Sequence, residues 1–356
     1  MSWFQNISRG AIVARALTSG LDPARCGRKT DDVFVESDTC GARGSAAHVA
    51  IGRRPCGDDH RYPLGAQFYG ARYAVAREKG FFKEAGIDIS GFLTSTGGGT
   101  SVRNTLASDL PYGEVALSAA LEALKAGQPL KIVNSGVESI GDLLWIAKAD
   151  SPLTGIKDLL GKRVGFTSPG SVSNMLLLMS LKHAGIDLKS VQIVPAGGIG
   201  ANLSAVLSGA LDAALTSEPV WTQERAKIKP VFWAKDELGP DMTQTVGVVT
   251  EDFGKSQPDK IRAIIAGRAK GVDYVYAHLE EAADITAKAY NMDPALVRTV
   301  FQHLKEMQWW HKGDLHYQAM DRMVEGMQVV GKLPGSIDWS KIVDTSFLPK
   351  DLQPKS

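Results

Sequence analysis

The chain has 356 residues, of which 44% are hydrophobic and 22% charged, so it is long enough for two domains with substantial cores. Its formal net charge of +1 argues against a nucleic acid or a membrane surface as the partner. No apolar run approaches the roughly 18 to 20 residues that a transmembrane helix needs.

Residues 1–60 differ in composition from the rest of the chain. They contain seven Arg and one Lys, whereas residues 61–356 contain ten Arg and twenty-two Lys. All three cysteines fall in this segment, with spacings that match no zinc motif and an odd count that gives no complete disulfide framework. The best candidate for the apolar part of a secretory signal, Ala11 to Leu17, is interrupted by Arg15, so no export signal is visible.

Two explanations of this atypical segment remain open. A mistaken start or an out-of-frame reading of a GC-rich gene would produce this bias, and so would a natural disordered extension of low hydrophobicity. Under either explanation, we expect residues 1 to about 45 to pack little against the rest of the chain.

The aromatic and turn residues of Tyr62 to Tyr69 are typical of a binding loop, and they lead into a helix from Ala71 to Glu78. Phe68 and Tyr69 could equally pack in the core at the helix start. A strand should end just before this helix, yet Pro55 to His60 cannot form a central strand and Val49 to Ile51 lies far back.

One unit of the sequence occurs twice, about a hundred residues apart. A short Ala-Gly-Ile-Asp segment is followed by a strand, a glycine-rich turn, a helix and a second strand, first over residues 83–117 and again over residues 182–215. Repeats of solenoid proteins recur at about 20 to 50 residues, so this longer period indicates two similar α/β lobes. Because each strand leads into a Gly- or Ser-rich turn, we expect a ligand at the carboxyl ends of the strands.

The segment Gly161 to Asn174 carries the clearest ligand-binding pattern. It predicts a buried strand at Arg163 to Phe166, a polar turn, and a helix whose N-cap is Ser171. The free N–H groups at such a helix start favour a polar or anionic ligand, although an ordinary capped helix fits the same residues. No Lys follows a Gly-x4-Gly pattern here, which excludes a nucleotide P-loop.

Glu218 follows the strand Ala213 to Leu215 and could accept hydrogen bonds from a ligand's amine or ring N–H. It could also be a helix-start Glu that the helix dipole favours, with Pro219 in the first turn. A strand from Thr245 to Thr250 is predicted to return the chain to the first lobe, and helices are predicted from Pro258 onward. Trp309 and Trp310 are predicted to be packing anchors.

These elements predict an α/β fold of two similar lobes, each with a mostly parallel sheet flanked by helices, joined by a hinge that the chain crosses twice. The first lobe comprises residues 61–147 and 245–356, and the second comprises residues 148–244. No metal site is predicted, because the seven His are scattered without metal-ligand spacing. The predicted ligand-binding residues are Gln67, Phe68, Tyr69, Thr96, Gly98, Ser118, Thr167, Ser168, Ser171, Ser217 and Glu218.

From about Tyr62 to Leu352 the chain resembles the solute-binding proteins of the nitrate, sulfonate, taurine and thiamine-pyrimidine-precursor group, which deliver ligands to ABC importers. The resemblance rests on three segments, Ala76 to Ile87, Leu159 to Phe166 and Leu207 to Ala213. It implies a type II periplasmic-binding-protein fold, a ligand held between two lobes, hinge closure, a membrane permease as partner and a periplasmic location. We expect a monomer without a cofactor.

A second class of protein shares this fold. Some relatives are enzymes that make the thiamine pyrimidine from their own His and bound pyridoxal phosphate, and they carry a Cys-rich iron-binding motif. Residues 61–356 contain no Cys, and the strand ends lack a nucleophile, a base and an orienting group. A non-enzymatic binding protein is therefore the prediction.

The predicted site contains hydroxyls, amides, aromatics and one acid, with no evident Arg clamp. Helix N-termini suit a sulfonate or a carboxylate, whereas Glu218 would favour an amine or a heterocyclic N–H. A ligand that carries both kinds of group would satisfy both features.

Overall fold

The computed structural model describes residues 48–52, 68–89, 91–95, 98–108 and 110–353, and for residues 48–52, 93–95 and 98–100 it describes the backbone alone. All of them belong to one compact unit, Ala42–Ser356. Residues 1 to about 45, which are predicted to pack little against the rest of the chain, lie outside the described residues, as do the predicted site residues Gln67 and Thr96.

The first sheet holds five described strands in the order β2-β1-β3-β10-β4. Every neighbouring pair in it is antiparallel. Since β2 and β3 both run opposite to β1, they run parallel to each other, and their carboxyl ends lie at one edge of the sheet. The strands are β1 (His48–Gly52), β2 (Gly91–Ser95), β3 (Tyr112–Ala116), β4 (Leu130–Ser135) and β10 (Thr245–Thr250).

The second sheet also holds five described strands, in the order β7-β6-β8-β5-β9. Its β7, β6 and β8 are parallel neighbours, whereas β5 runs antiparallel to β8 and β9. The strands are β5 (Leu144–Lys148), β6 (Arg163–Phe166), β7 (Gln192–Pro195), β8 (Ala213–Thr216) and β9 (Ile228–Trp233).

Helices cover both sheets, and those after residue 250 follow one another without an intervening strand in the described chain. In the first lobe and the second lobe up to residue 238 they are α1 (Ala71–Glu78), α2 (Phe81–Glu84), α3 (Gly98–Leu106), α4 (Leu117–Lys125), α5 (Val172–His183), α6 (Ile199–Leu207), α7 (Val220–Glu224) and α8 (Ala234–Leu238). The remaining helices are α9 (Glu251–Ser256), α10 (Pro258–Ala277), α11 (Leu279–Tyr290), α12 (Pro294–Glu306), α13 (Tyr317–Val329) and α14 (Trp339–Ile342).

Local sequence signals account for the ends of these helices. Ser171 caps α5, because its side chain accepts a hydrogen bond from the Asn174 amide. Asp293 caps α12 in the same way, with Pro294 at the first helical position, where its missing N–H costs nothing. The predicted helix Ala71 to Glu78 and strand Thr245 to Thr250 are both confirmed to the residue.

The core is continuous between the two sheets. The apolar faces of β3, β10 and β6, together with helices α5 and α13, share one buried cluster. A second cluster lies among α1, α11 and α12, where Trp309 and Trp310 are 0% and 2% exposed, which confirms them as packing anchors. Helix α13 packs against both α4 of the first lobe and α5 of the second, so it connects the two lobes.

The prediction of mostly parallel sheets requires correction, because every neighbouring pair in the first sheet is antiparallel and the second sheet is mixed. The strands β5 and β10 enter their sheets directly from the hinge rather than through a crossover helix, so nothing requires them to run parallel. Strand β5 also pairs within the second sheet, although residues up to 147 were assigned to the first lobe. The boundary at that crossing therefore falls before Leu144.

Part of the atypical segment 1–60 is structured. Residues His48–Gly52 form β1, which pairs with both β2 and β3 in the first sheet. In the sequence, Val49 to Ile51 lies too far before α1 to be predicted as the strand that precedes it. Strand β1 runs antiparallel to β3. In the second lobe the corresponding strands, β6 and β8, are parallel, so the two lobes differ at this position.

Candidate functional site

Three hydroxyl groups form a triangle at the carboxyl end of β6. The Oγ1 of Thr167 lies 2.8 Å from the Oγ atoms of both Ser171 and Ser173, and those two Oγ atoms lie 2.9 Å apart. Thr167 and Ser173 are buried and Ser171 is half-buried. A hydroxyl can rotate to donate or accept, so this hydroxyl triangle can reorient toward an incoming acceptor.

The hydroxyl triangle stands at the beginning of α5, a helix of 12 residues. The first N–H groups of an α-helix have no partner within the helix and carry its positive dipole end. Ser171 satisfies one of them, and the turn before it is held by the Gly170 amide, which donates to Asn174 Oδ1 at 3.0 Å. This edge of the second lobe is therefore suited to hold a negatively charged group.

Strand β8 brings a second polar segment to the same edge. It runs parallel to β6, with Val164 opposite Ala213 and Gly165 opposite Ala214. Parallel neighbours end at one edge, so Ser217, just past β8, lies on the same side of the sheet as Thr167. Both polar segments therefore follow the carboxyl ends of parallel strands in the second lobe.

The turn between β6 and α5 also borders the first lobe. A Cβ atom placed on Gly170 would lie 2.8 Å from Cε of Lys332. The Lys332 ammonium lies 3.5 Å from Glu122 Oε1 on α4. The backbone carbonyl of Lys332 accepts a hydrogen bond from the Lys125 ammonium. The second-lobe edge is thus in contact with elements that pack on the first lobe.

Glu218 is buried, and its carboxylate already has partners. Its Oε1 lies 2.8 Å from Nδ1 of His303 on α12 and accepts from Thr222 Oγ1 at 2.9 Å, while its Oε2 accepts from the Thr222 amide at 3.2 Å. Two of these contacts come from the start of its own helix. This is the geometry of the helix-start alternative, with an added contact to the C-terminal helices.

Tyr69 lies beside the hinge crossings. Its hydroxyl donates to Gln244 Oε1 at 2.8 Å, and its ring centre lies 5.2 Å from that of Trp309. The indole N–H of Trp309 donates to Asp142 Oδ1 at 3.1 Å. The pKa of Asp142 is raised to about 7. Burial is the main cause of the increase, the charge of Glu218 adds to it, and the hydrogen bond from Trp309 offsets part of it. Tyr69 is therefore linked to Asp142 through Trp309.

The remaining predicted residues occupy different environments. Phe68 is 1% exposed and packs edge-on against Tyr290 and Phe301, which is the core alternative. Ser118 is buried in the first turn of α4, and Ser168 is exposed in the turn before α5. The backbone of Gly98 begins α3, at the edge where β2 ends.

Sequence reasoning missed several polar residues of this region. Ser173 completes the hydroxyl triangle, Asp142 and Gln244 lie at the two hinge crossings, and His303 pairs with Glu218. The available signal for Asp142 was an acid directly before the apolar run that became β5. Nothing local distinguishes His303, because its partner is 85 positions away.

A charged network is fully buried in the first lobe. Arg72 on α1 and Arg268 on α10 both pair with Glu114 on β3, and all three side chains are at most 2% exposed. Tyr73 and Thr245 also donate to the two Glu114 oxygens, at 2.8 and 2.7 Å. Burial by itself would raise the pKa of the Glu114 carboxyl, but Arg72 and Arg268 outweigh it and hold the pKa at about 2.

Glu138, His311 and His316 form a second polar cluster, between the first hinge crossing and the loop that joins α12 to α13. The Nδ1 atoms of both histidines approach Oε2 of Glu138, at 3.2 Å for His311 and in a very short contact for His316. Burial lowers the pKa of His311, whereas the hydrogen bond to Glu138 raises the pKa of His316 to about 9.

A surface cleft of about 400 Å³ lies elsewhere, between α5, α8 and α13. It is lined by charged and long flexible side chains, and it contains none of the predicted site residues. Because its walls lack the hydroxyl triangle and the hinge residues, we place the candidate site at the sheet edge rather than in this cleft.

Within the described residues, no helix has the length and apolar character needed to span a bilayer.

The two-lobed architecture is that of the periplasmic binding proteins, as a comparison with solved structures shows. The periplasmic aliphatic sulphonate binding protein SsuA of Escherichia coli aligns with a TM-score of 0.65 and 15% identity, over 81% of this chain and 92% of that one. The desulfurization enzyme DszB, solved with biphenyl-2-sulfinic acid, aligns with a TM-score of 0.61 and 17% identity, over 78% and 94% of the two chains. At these identities the likeness shows the fold alone.

The family model described as NMT1/THI5-like matches residues 67–282. The chain therefore belongs to the NMT1/THI5-like family. A Brucella abortus protein named as a binding protein is 27% identical over 66% of this chain and 72% of its own length. A Bacillus subtilis protein whose name assigns it to aliphatic sulfonates is 23% identical over 79% of this chain and 85% of its own.

Proposed function

We propose that this protein is the extracytoplasmic solute-binding component of an ABC import system, and that it holds a small organic anion of the sulfonate class at the second-lobe edge. The observation that carries the proposal is the hydroxyl triangle of Thr167, Ser171 and Ser173 at the start of α5. Sulfonate oxygens accept hydrogen bonds, and this edge supplies hydroxyl donors together with a helix N-terminus.

The contacts of Glu218 bear on the charge of the solute. A free carboxylate at this edge would oppose an anion and favour an amine. Here both oxygens of Glu218 accept from Thr222, and Oε1 also contacts His303. Because that carboxylate has partners within the protein, an anion at the hydroxyl triangle is favoured over an amino-heterocycle.

Two buried arginines of the first lobe, Arg72 and Arg268, are already paired with an acid of the protein. Arginine usually reads anionic groups through its bidentate fork. Arg72 and Arg268 are both wholly buried against Glu114, so their charge is balanced within the first lobe. The helix start and the hydroxyls are then the main anion-binding groups at this edge.

Binding without chemical conversion is the favoured activity. A thiamine-pyrimidine-synthase-like enzyme is the alternative, and it would need a cysteine-rich metal motif or a catalytic set of residues. All cysteines of the chain are at positions 26, 40 and 56. The polar groups at the sheet edge are hydroxyls and an engaged carboxylate, which suit binding. The relatives' names as binding proteins point the same way.

The partner and location follow from the proposed role. A solute-binding component acts outside the cytoplasm, releases its solute to a membrane permease, and needs no second copy of itself. We therefore propose a periplasmic monomer. Contacts of α13 with both α4 and α5 give the lobes a shared surface, so that solute binding between them can be coupled to hinge closure.

A binding screen with product analysis tests the proposal. Thermal shifts would be measured with alkanesulfonates, taurine, nitrate, carboxylates, amines and aminopyrimidines, followed by mass spectrometry of each hit before and after incubation. A solute at about a hundred times its dissociation constant should stabilise the protein by about 2.7 kcal/mol. Sulfonates should form the class of hits and be recovered unchanged. Conversion of a hit, or hits only among amines, would contradict the proposal.

A further inference from the structure

The chain also places three possible metal ligands together, outside the proposed solute site. One ligand atom each of Glu138, His311 and His316 lies within 4.8 Å of the other two. Glu138 belongs to the connection between β4 and β5, while both histidines belong to the loop between α12 and α13. Three groups from two distant segments thus converge on one point.

The separation of His311 from Glu138 matches that of two ligands around a small cation. Zinc bonds to imidazole nitrogen and carboxylate oxygen are about 2.0 to 2.2 Å long, so two ligand atoms in a tetrahedral site lie about 3.3 to 3.5 Å apart. The distance between His311 Nδ1 and Glu138 Oε2 is 3.2 Å. His316 Nδ1 approaches the same oxygen more closely, so insertion of a cation needs only a small rotation of its exposed ring.

A fourth residue orients one of the histidines. Nε2 of His316 lies 3.1 Å from Asp314 Oδ2, on the side of the ring opposite Glu138. Metal-binding histidines usually donate their second ring N–H to a carboxylate, which fixes the tautomer and aims the other nitrogen at the metal. Asp314 holds His316 in that arrangement, with Nδ1 directed at Glu138.

The ligand set selects a class of metal. Imidazole nitrogen suits zinc and similar transition metals, whereas calcium and magnesium take oxygen ligands. Two histidines and one carboxylate leave at least one coordination position for water or a ligand. We propose that Glu138, His311 and His316 form a binding site for a divalent transition-metal ion of the zinc class.

Such a metal would link the first hinge crossing to the loop that precedes α13. Glu138 lies in the first hinge crossing, and its carbonyl accepts a hydrogen bond from Met242 of the second crossing. The histidines precede α13, the helix that packs on both lobes. A bound ion therefore ties the hinge to the bridging helix, which makes the metal a stabiliser of the hinge and independent of the solute's identity.

Calorimetric titration of the tag-free full chain with Zn²⁺, after removal of metals with a chelator, tests this site. We expect one Zn²⁺ per chain. His311→Ala and His316→Ala should each weaken Zn²⁺ affinity about 100-fold or more, because each removes a ligand, and Asp314→Asn should weaken it about 10- to 100-fold. Co²⁺ in place of Zn²⁺ should give a visible spectrum without a thiolate charge-transfer band.

His183→Ala is the matched control, because His183 is an exposed histidine on α5 and should leave the Zn²⁺ affinity unchanged. His316 is half exposed, so His316→Ala removes little packing and keeps the test independent of folding. Absence of Zn²⁺ binding would overturn the proposal. Zn²⁺ binding of equal strength in the wild type, His311→Ala and His316→Ala would also overturn it.

Discussion

Two polar regions of this protein differ in charge: one is a network of buried ions, and the other is a group of neutral hydroxyls. In the first lobe, Glu114 is buried between Arg72 and Arg268, and both of its carboxylate oxygens have partners within the protein. At the second-lobe edge, Thr167, Ser171 and Ser173 are neutral and bond mainly to one another. Buried charges pair with one another in the first lobe, and reorientable neutral hydroxyls occur where a solute is proposed to bind.

The difference follows from the cost of desolvation. A buried ion loses several kcal/mol of hydration, which only permanent partners can offset, so a charged group that waited for a solute would destabilise the empty protein. Hydroxyls that exchange one hydrogen-bond partner for another carry no such penalty. The hydroxyl triangle can therefore remain satisfied when the site is empty and still bind an anion.

Glu114→Gln tests the charged region and should have the largest effect on stability. It leaves Arg72 and Arg268 buried without their counter-charge, which costs about 3 to 5 kcal/mol for a broken buried pair. Denaturant unfolding would measure the loss. Glu122→Gln is the control, since it removes a surface pair with Lys332 that contributes about 0 to 1 kcal/mol. A loss below 1 kcal/mol in Glu114→Gln would show that the network does not stabilise the lobe.

The pH dependence of stability tests the role of Asp142, a buried acid for which no cationic partner is found among the described residues. Its pKa is about 7 in the folded chain, above the usual 3.8, so the folded state binds the proton more tightly. The resulting stability is fully present below about pH 3.8 and is lost as the pH rises through about 7. The free energy of unfolding should decrease between pH 5 and pH 8, and the decrease should be larger in the wild type than in Asp142→Asn. Equal pH dependence of the two proteins would contradict this account.

Ser171→Ala separates the capping role from the binding role at the hydroxyl triangle. Loss of the cap should cost about 1 kcal/mol of stability, because the Asn174 amide loses its acceptor. Thermal unfolding without solute measures this cost. Asp293→Ala serves as the control, because it removes the equivalent cap of α12 and should cost a similar amount while leaving sulfonate affinity unchanged. A loss of affinity in both variants would mean that general destabilisation, rather than the hydroxyl, weakens binding.

Glu218→Gln should have the smallest effect. The amide keeps the size of the side chain and can still accept from Thr222, while the negative charge is lost. Sulfonate affinity measured by calorimetry should therefore rise by less than tenfold, which is about 1.4 kcal/mol. A tenfold loss would indicate that Glu218 leaves His303 to contact a cationic part of the solute.

Sequence patterns predicted the elements of this fold better than the way in which they pair. Helix caps and apolar periodicity are local, so the α5 cap at Ser171 and the strand Thr245 to Thr250 were predicted correctly. Strand direction at the hinge depends on the path between lobes, which leaves no local pattern. The sheets were therefore predicted to be mostly parallel, and β5 was placed in the wrong lobe.

The candidate site shows the same division. The duplicated strand-turn-helix unit predicted that Ser171 and Glu218 follow parallel strands of the second lobe, and β6 and β8 are parallel. The partners of Glu218 could not be predicted, because His303 lies in a helix that contacts it only through the tertiary fold. The cluster of Glu138, His311 and His316 could not be predicted for the same reason, since Glu138 and His316 are 178 positions apart.

Calorimetric titration of the wild type and Thr167→Val with ethanesulfonate tests the central claim most directly. Val keeps the shape of Thr but removes the hydroxyl that joins Ser171 and Ser173, while the helix and its cap remain. The wild type should bind one ethanesulfonate per chain, and Thr167→Val should bind it about tenfold or more weakly, about 1.4 kcal/mol or above. Equal affinity in the two proteins would contradict the assignment of the hydroxyl triangle as the anion site.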